Sequence, residues 1–78
     1  MAVAALYIAD EKLTKQERLA IRLLISRKAS GLTQAQIGIR LGMDQQQISY
    51  HEINGTLPGW MLSDWARITG QNISFFQS

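Results

Sequence analysis

Apolar residues recur at helical spacing through most of the chain, and each run is bracketed by the same punctuation. "TKQERLAIRLLISRKA" has Thr14 three residues before Glu17, the reciprocal pair of a capping box, and Arg27 and Lys28 near its end, where cations suit the helix dipole. Gly31 closes it. Thr33 with Gln36 repeats the box for "TQAQIGIRL", closed by Gly42, and Asp44 with Gln47 repeats it for "DQQQISYHEI", closed near Asn54 and Gly55. After the "NGTLPG" loop, Leu62, Trp65, Ala66 and Ile68 mark a fourth helix ending at Gly70, and Asn72 can cap a short fifth, "ISFFQS". The pattern predicts an all-α fold of five helices. "AVAALYIA" is compatible with an added strand, a helix or a flexible arm, because a short apolar run does not reveal its period. Residues 1–12 are therefore set apart as an arm from a domain over 13–78.

The second and third runs carry the most information. A short helix, a glycine-centred corner and a second helix can pack steeply only around a small residue flanked by apolar ones. Gly38 is that residue, with Ile37, Leu41, Met43 and Ile48 facing inward. Gln45, Gln46, Ser49 and Tyr50 are left on the solvent side, an uncharged hydrogen-bonding face. A glutamine amide can pair bidentately with adenine N6 and N7 in the major groove, so amides at the start of a projecting helix suit base edges.

Composition narrows the classes. At 78 residues the chain is one domain, near the lower limit for a self-sufficient core, and a domain of that size often dimerises. With no cysteine and one histidine, neither a disulfide framework nor a metal site is expected, and nothing suggests a cofactor. "MAVAALYIA" lacks a basic start and runs into Asp10, Glu11 and Lys12, which fits neither a signal peptide nor a membrane span and points to the cytoplasm. Eight Lys/Arg against six Asp/Glu give +2, which permits a polyanionic partner without demanding one. Ser49, His51 and Glu52 stand too close on one helix to converge as a nucleophile triad, so no enzyme is expected.

"LTQ" opening the second helix, Gly42 in the turn, "QQ" opening the third, Glu52 near its end and "ITGQNISFF" further on together resemble the helix-turn-helix repressors and Cro proteins of lambdoid phages, an XRE-type DNA-binding domain, over roughly Arg18 to Phe76. The resemblance implies a five-helix lambda-repressor-like domain whose third helix lies in the major groove, and a homodimer on a near-palindromic double-stranded DNA operator. Carried over by position, Gln45 and Gln46 lead base readout, followed by Tyr50 and Ser49. Thr33, Gln34, Gln47 and Asn54, with Arg40 and Lys28, fall to the phosphates, Gln34 also bracing Gln45. Arg27 and Glu52 form a structural ion pair, and Ile73, Phe75 and Phe76 an apolar tip at the dimer interface. The chain departs from the pattern at His51, where an aliphatic core residue is usual, at Ile53, where a polar residue often touches phosphate, and in "TLPGW", which lacks the usual Lys/Arg. The loss of loop cations shifts the electrostatic burden onto Arg40, Lys28, Lys12 and Lys15. The expected function is a transcriptional regulator of the repressor or Cro kind, or a restriction-modification controller. The alternative is an antitoxin-like module that binds a protein partner through Met1 to Ala9.

Overall fold

Three of the helix starts are fixed by one piece of local chemistry. At Thr14 the side-chain oxygen accepts from the Glu17 amide (3.0 Å) while Glu17 Oε1 accepts from the Thr14 amide (2.7 Å). Thr33 with Gln36 and Asp44 with Gln47 repeat the exchange. Each box satisfies amide groups that the first helical turn leaves without acceptors, typically worth about 1 kcal/mol per cap. The computed structural model describes residues 12–77, and these are all-helical, with no strand: α1 Lys15–Ser30, α2 Gln34–Leu41, α3 Gln45–Asn54, α4 Gly59–Thr69 and α5 Ser74–Gln77. α4 starts differently, after Pro58, with no side-chain cap. The Ser74 amide at the start of α5 donates to Asn72 Oδ1 (3.0 Å). No described helix is long and apolar enough to cross a membrane. The expected arm falls outside the described residues except for Lys12.

α1 is the element on which the others gather: it packs on α3, α4 and α5, while α2 packs on α3 and α4. The core draws Leu23 from α1, Ile37 from α2, Ile48 from α3, and Met61, Leu62, Trp65 and Ala66 from α4, with Leu57 of the preceding loop. Leu23, Ile37, Ile48 and Trp65 are completely buried, and each aliphatic side chain so removed from water contributes about 1.5–3 kcal/mol. Trp65 brings an indole N–H into that interior. Ser26 Oγ accepts from it at 2.9 Å and donates in turn to the Leu23 carbonyl. Among the described residues no buried side-chain nitrogen or oxygen lacks a partner.

The apolar tip expected at Ile73, Phe75 and Phe76 is corrected in part. Phe76 is only 5% exposed and belongs to the chain's own core, and Ile73 and Phe75 are half-buried against it. The reason is that α5 lies along α1, where Phe76 borders a concavity shared with Leu19 and Gln16, and Phe75 meets it edge to face at 5.1 Å between ring centroids. Trp60, by contrast, is 72% exposed and contributes nothing to the core.

Two glycines fix how closely the helices approach. At Gly38 a Cβ would lie 2.5 Å from the Met43 carbonyl oxygen, so the α2–α3 corner closes only around a bare backbone. Gly55 ends α3 with φ of 62° and abuts α1, where a Cβ would overlap the Gln16 carbonyl oxygen and crowd the Ala20 amide. Gln16 Nε2 also donates to the Asn54 carbonyl at 2.7 Å, tying the end of α3 to the start of α1. Gly31 also has positive φ, but open space lies around it. Gly31→Ala should therefore cost only the left-handed backbone penalty, about 1 kcal/mol, whereas Gly55→Ala should add an overpacking cost of about 1–3 kcal/mol. Urea unfolding midpoints of the two variants, at unchanged m-value, will separate them; equal midpoints would show that α3 and α1 do not meet at Gly55.

Candidate nucleic-acid interface

The orientation of α3 follows from what its inner side holds. Ile48 is buried in the core, and Glu52, one turn later on the same side, is buried against α1. Arg27 grips that carboxylate in the planar fork that only a guanidinium supplies: Nε donates to Glu52 Oε2 and Nη2 to Oε1 at 3.1 Å. Its Nη1 donates to the Leu32 carbonyl at 2.9 Å. Gln34, at the start of α2, completes the cluster by donating Nε2 to Glu52 Oε1 at 3.2 Å. Three helices are thus joined through one carboxylate.

With Ile48 and Glu52 held inward, helical geometry turns Gln45, Gln46 and Tyr50 outward, all exposed, with Ser49 half-buried beside them. Glu52 is the one acid within α3, so the outward stripe carries no formal charge. Next to it a concavity of about 610 Å³ opens at the start of α2, bordered by Lys28, Thr33, Gln34 and Gln45. The Gln36 amide is capped by Thr33 Oγ1, but those of Gln34 and Ala35, which also border the space, have no acceptor within their helix. Exposed Lys28, the start of α2 and exposed Gln45 therefore border one recess, an arrangement that favours an anion.

The other residues expected at a phosphate are placed differently. Arg40 is exposed near the far end of α2, Lys12 precedes α1 and Lys15 opens it, and none of them borders the recess. Gln47 Oε1 accepts from the Asp44 amide as half of a capping box. Asn54 donates Nδ2 to the Tyr50 carbonyl (2.8 Å), so its amide nitrogen is engaged within its own helix. Gln34 donates Nε2 to Glu52, which Arg27 anchors as a charged and fixed acceptor, and it borders the same recess as Gln45, the residue it is expected to brace. His51, half-buried, has Nδ1 3.0 Å from Thr56 Oγ1 and so fastens α3 to the following loop. Ile53 is exposed, as are Ile39 on α2 and Trp60 on α4.

Sequence reasoning did not anticipate the Gln34–Glu52 bond, the Gln16 tie to the end of α3, or the exposure of Trp60 and Ile39. The first two partners are separated by 18 and 38 positions, beyond any local pattern. No family model, curated protein or solved structure matches the chain.

Removing either half of the buried pair should strand the other. Arg27→Met or Glu52→Gln is expected to cost about 3 kcal/mol, and the double variant less than the sum of the two. A double-mutant cycle of urea or thermal melts measures the coupling; strict additivity would show that the two side chains do not act together.

Proposed function

We propose that the protein is a sequence-specific double-stranded DNA-binding regulator built like the helix-turn-helix repressors and Cro proteins, with α3 as the helix that enters the major groove. The observation that carries this reading is the juxtaposition at the α2–α3 corner: an exposed, uncharged amide stripe on a rigidly held helix, directly beside a recess framed by Lys28 and the start of α2. Amide side chains supply the bidentate donor and acceptor pair that adenine presents in the major groove. The recess suits a backbone phosphate, which would set the depth and register of α3 without reading sequence. Gln45 borders both, so it is the side chain that links the anion recess to the base-facing stripe.

On this reading Gln45 and Gln46 read bases, Ser49 and Tyr50 extend the contact, and Lys28, Thr33, Gln34 and Ala35 hold a phosphate. Arg40 is assigned to a second phosphate farther along the strand. Few cations serve the contact, so one domain alone would bind weakly, and a symmetric dimer on a near-palindromic site is proposed, with two copies of α3 about 34 Å apart in successive grooves. The half-buried edge at Ile73 and Phe75 is the proposed contact between copies, Phe76 serving the interior of each. A protein acting on bacterial or phage DNA works in the cytoplasm.

Selection from a random duplex library, read by sequencing, tests the proposal: an enriched near-palindrome is expected, and absence of any enriched sequence would reject it. Gln45→Ala and Gln46→Ala should each weaken binding to the selected site by about 1–3 kcal/mol while leaving binding to unrelated duplex nearly unchanged. Equal losses on both DNAs would remove these two residues from base readout. Analytical ultracentrifugation with the selected duplex should find two chains per site, and one chain per site would overturn the dimer.

A further inference from the structure

Past Gln45 and Gln46 the outward stripe of α3 presents the face of an aromatic ring, tipped by one hydroxyl, and an aliphatic side chain. Gln46, Tyr50 and Ile53 follow one another at i, i+4 and i+7, which keeps them on one side of the helix. Tyr50 is 60% and Ile53 74% exposed. A lone exposed apolar side chain is ordinary, but these two continue the line on which the amides stand. Charge narrows what they can face. No lysine or arginine lies within α3, and its one carboxylate is turned away and held by Arg27. The stripe therefore neither draws a phosphate by charge at its far end nor repels a polyanion. Ile53 has no side-chain donor to offer a phosphate oxygen, and one N–H of the neighbouring Asn54 amide is spent on the Tyr50 carbonyl. The Tyr50 ring is steadied from within its helix, edge-on to His51 at 5.7 Å, and His51 in turn is anchored on Thr56.

Among the base edges of the major groove, the apolar group is the C5-methyl of thymine. We propose that the Tyr50 ring and Ile53 read thymine methyl groups, so that the recognition helix carries an adenine-reading amide end and a thymine-reading apolar end. The inference rests on the DNA-binding reading above and adds to it the base class and the residues that distinguish it. From Gln46 to Ile53 the helix advances about 10 Å, the rise of about three base pairs. A half-site is accordingly expected to carry adenine at the positions facing Gln45 and Gln46 and thymine about three base pairs away.

The experiment takes the full chain and the duplex enriched from a random library, prepared once with thymine and once with uracil at every thymine position, which removes only the methyl groups. Wild-type protein should bind the uracil duplex about three- to tenfold more weakly, in line with the loss of one or two buried methyl contacts. Ile53→Ala should lose a similar factor on the thymine duplex and show a reduced thymine-to-uracil difference, while Ile53→Val and Tyr50→Phe keep most of it. Because both side chains are exposed, circular dichroism melts of these variants should match wild type. Equal wild-type affinity for the two duplexes, an enriched site without thymine about three base pairs from the adenines, or an Ile53→Ala loss that is the same on both duplexes would overturn methyl reading and leave DNA binding standing. A library that yields no enriched sequence would overturn both.

Discussion

Glu52 and Arg27 are each less than a tenth exposed, and they meet where α1, α2 and α3 come together. Taking two charges out of water is costly, and a hydrophobic pair of equal volume often stabilises a fold as well or better, so the pair is better understood through geometry than through stability. The guanidinium fork fixes the azimuth of α3 against α1. Its third nitrogen reaches the Leu32 carbonyl and so sets the chain where it leaves α1 for α2. Gln34 takes a further share of the carboxylate and brings the first turn of α2 into the same arrangement. The orientation of the outward stripe and the position of the recess beside it both descend from this cluster.

Packing finishes what the ion pair begins. Among the described residues nine apolar side chains form the buried core, and Trp65 supplies the largest member only because Ser26 satisfies its indole nitrogen. α1 therefore holds two buried polar partners one residue apart, Ser26 for α4 and Arg27 for α3. Its N-terminal half receives the end of α3 through Gln16, Ala20 and Gly55. α3 is thus held at both its carboxylate and its terminal carbonyl by one long helix, and the outward side chains of Gln45, Gln46 and Ile53 play no part in holding it.

Features written in neighbouring residues were legible in the sequence. The three capping boxes and the closing glycines depend on spacings of a few positions, and the helix limits they imply match α1, α2 and α3. The start of α4 was less legible because Pro58 precedes it without a side-chain cap. The fate of Phe76 was not, since a one-turn helix has no period to reveal its buried side and its partners lie on α1. Trp60 and Trp65 look alike in composition, and only tertiary packing separates the exposed one from the buried one. The outward set on α3 and the capping box that occupies Gln47 could be written down from spacing, and the bond that occupies Asn54 stays within its own helix, whereas the bond that occupies Gln34 depends on how the helices finally meet.

The division of α3 into an inner side that fixes the helix and an outer side that the rest of the chain hardly touches bears on how such a surface can change over generations. Exchanges at Gln45, Gln46, Tyr50 or Ile53 remove no core contact, and substitutions at exposed positions of this kind ordinarily alter stability by less than about 0.5 kcal/mol. The surface can then drift one residue at a time without passing through unfolded intermediates. Ile48, Glu52 and Gly55 have no such freedom, because each is fitted to a neighbour that would have to change with it. A lineage carrying this architecture could diversify what it recognises while the framework beneath stayed nearly still.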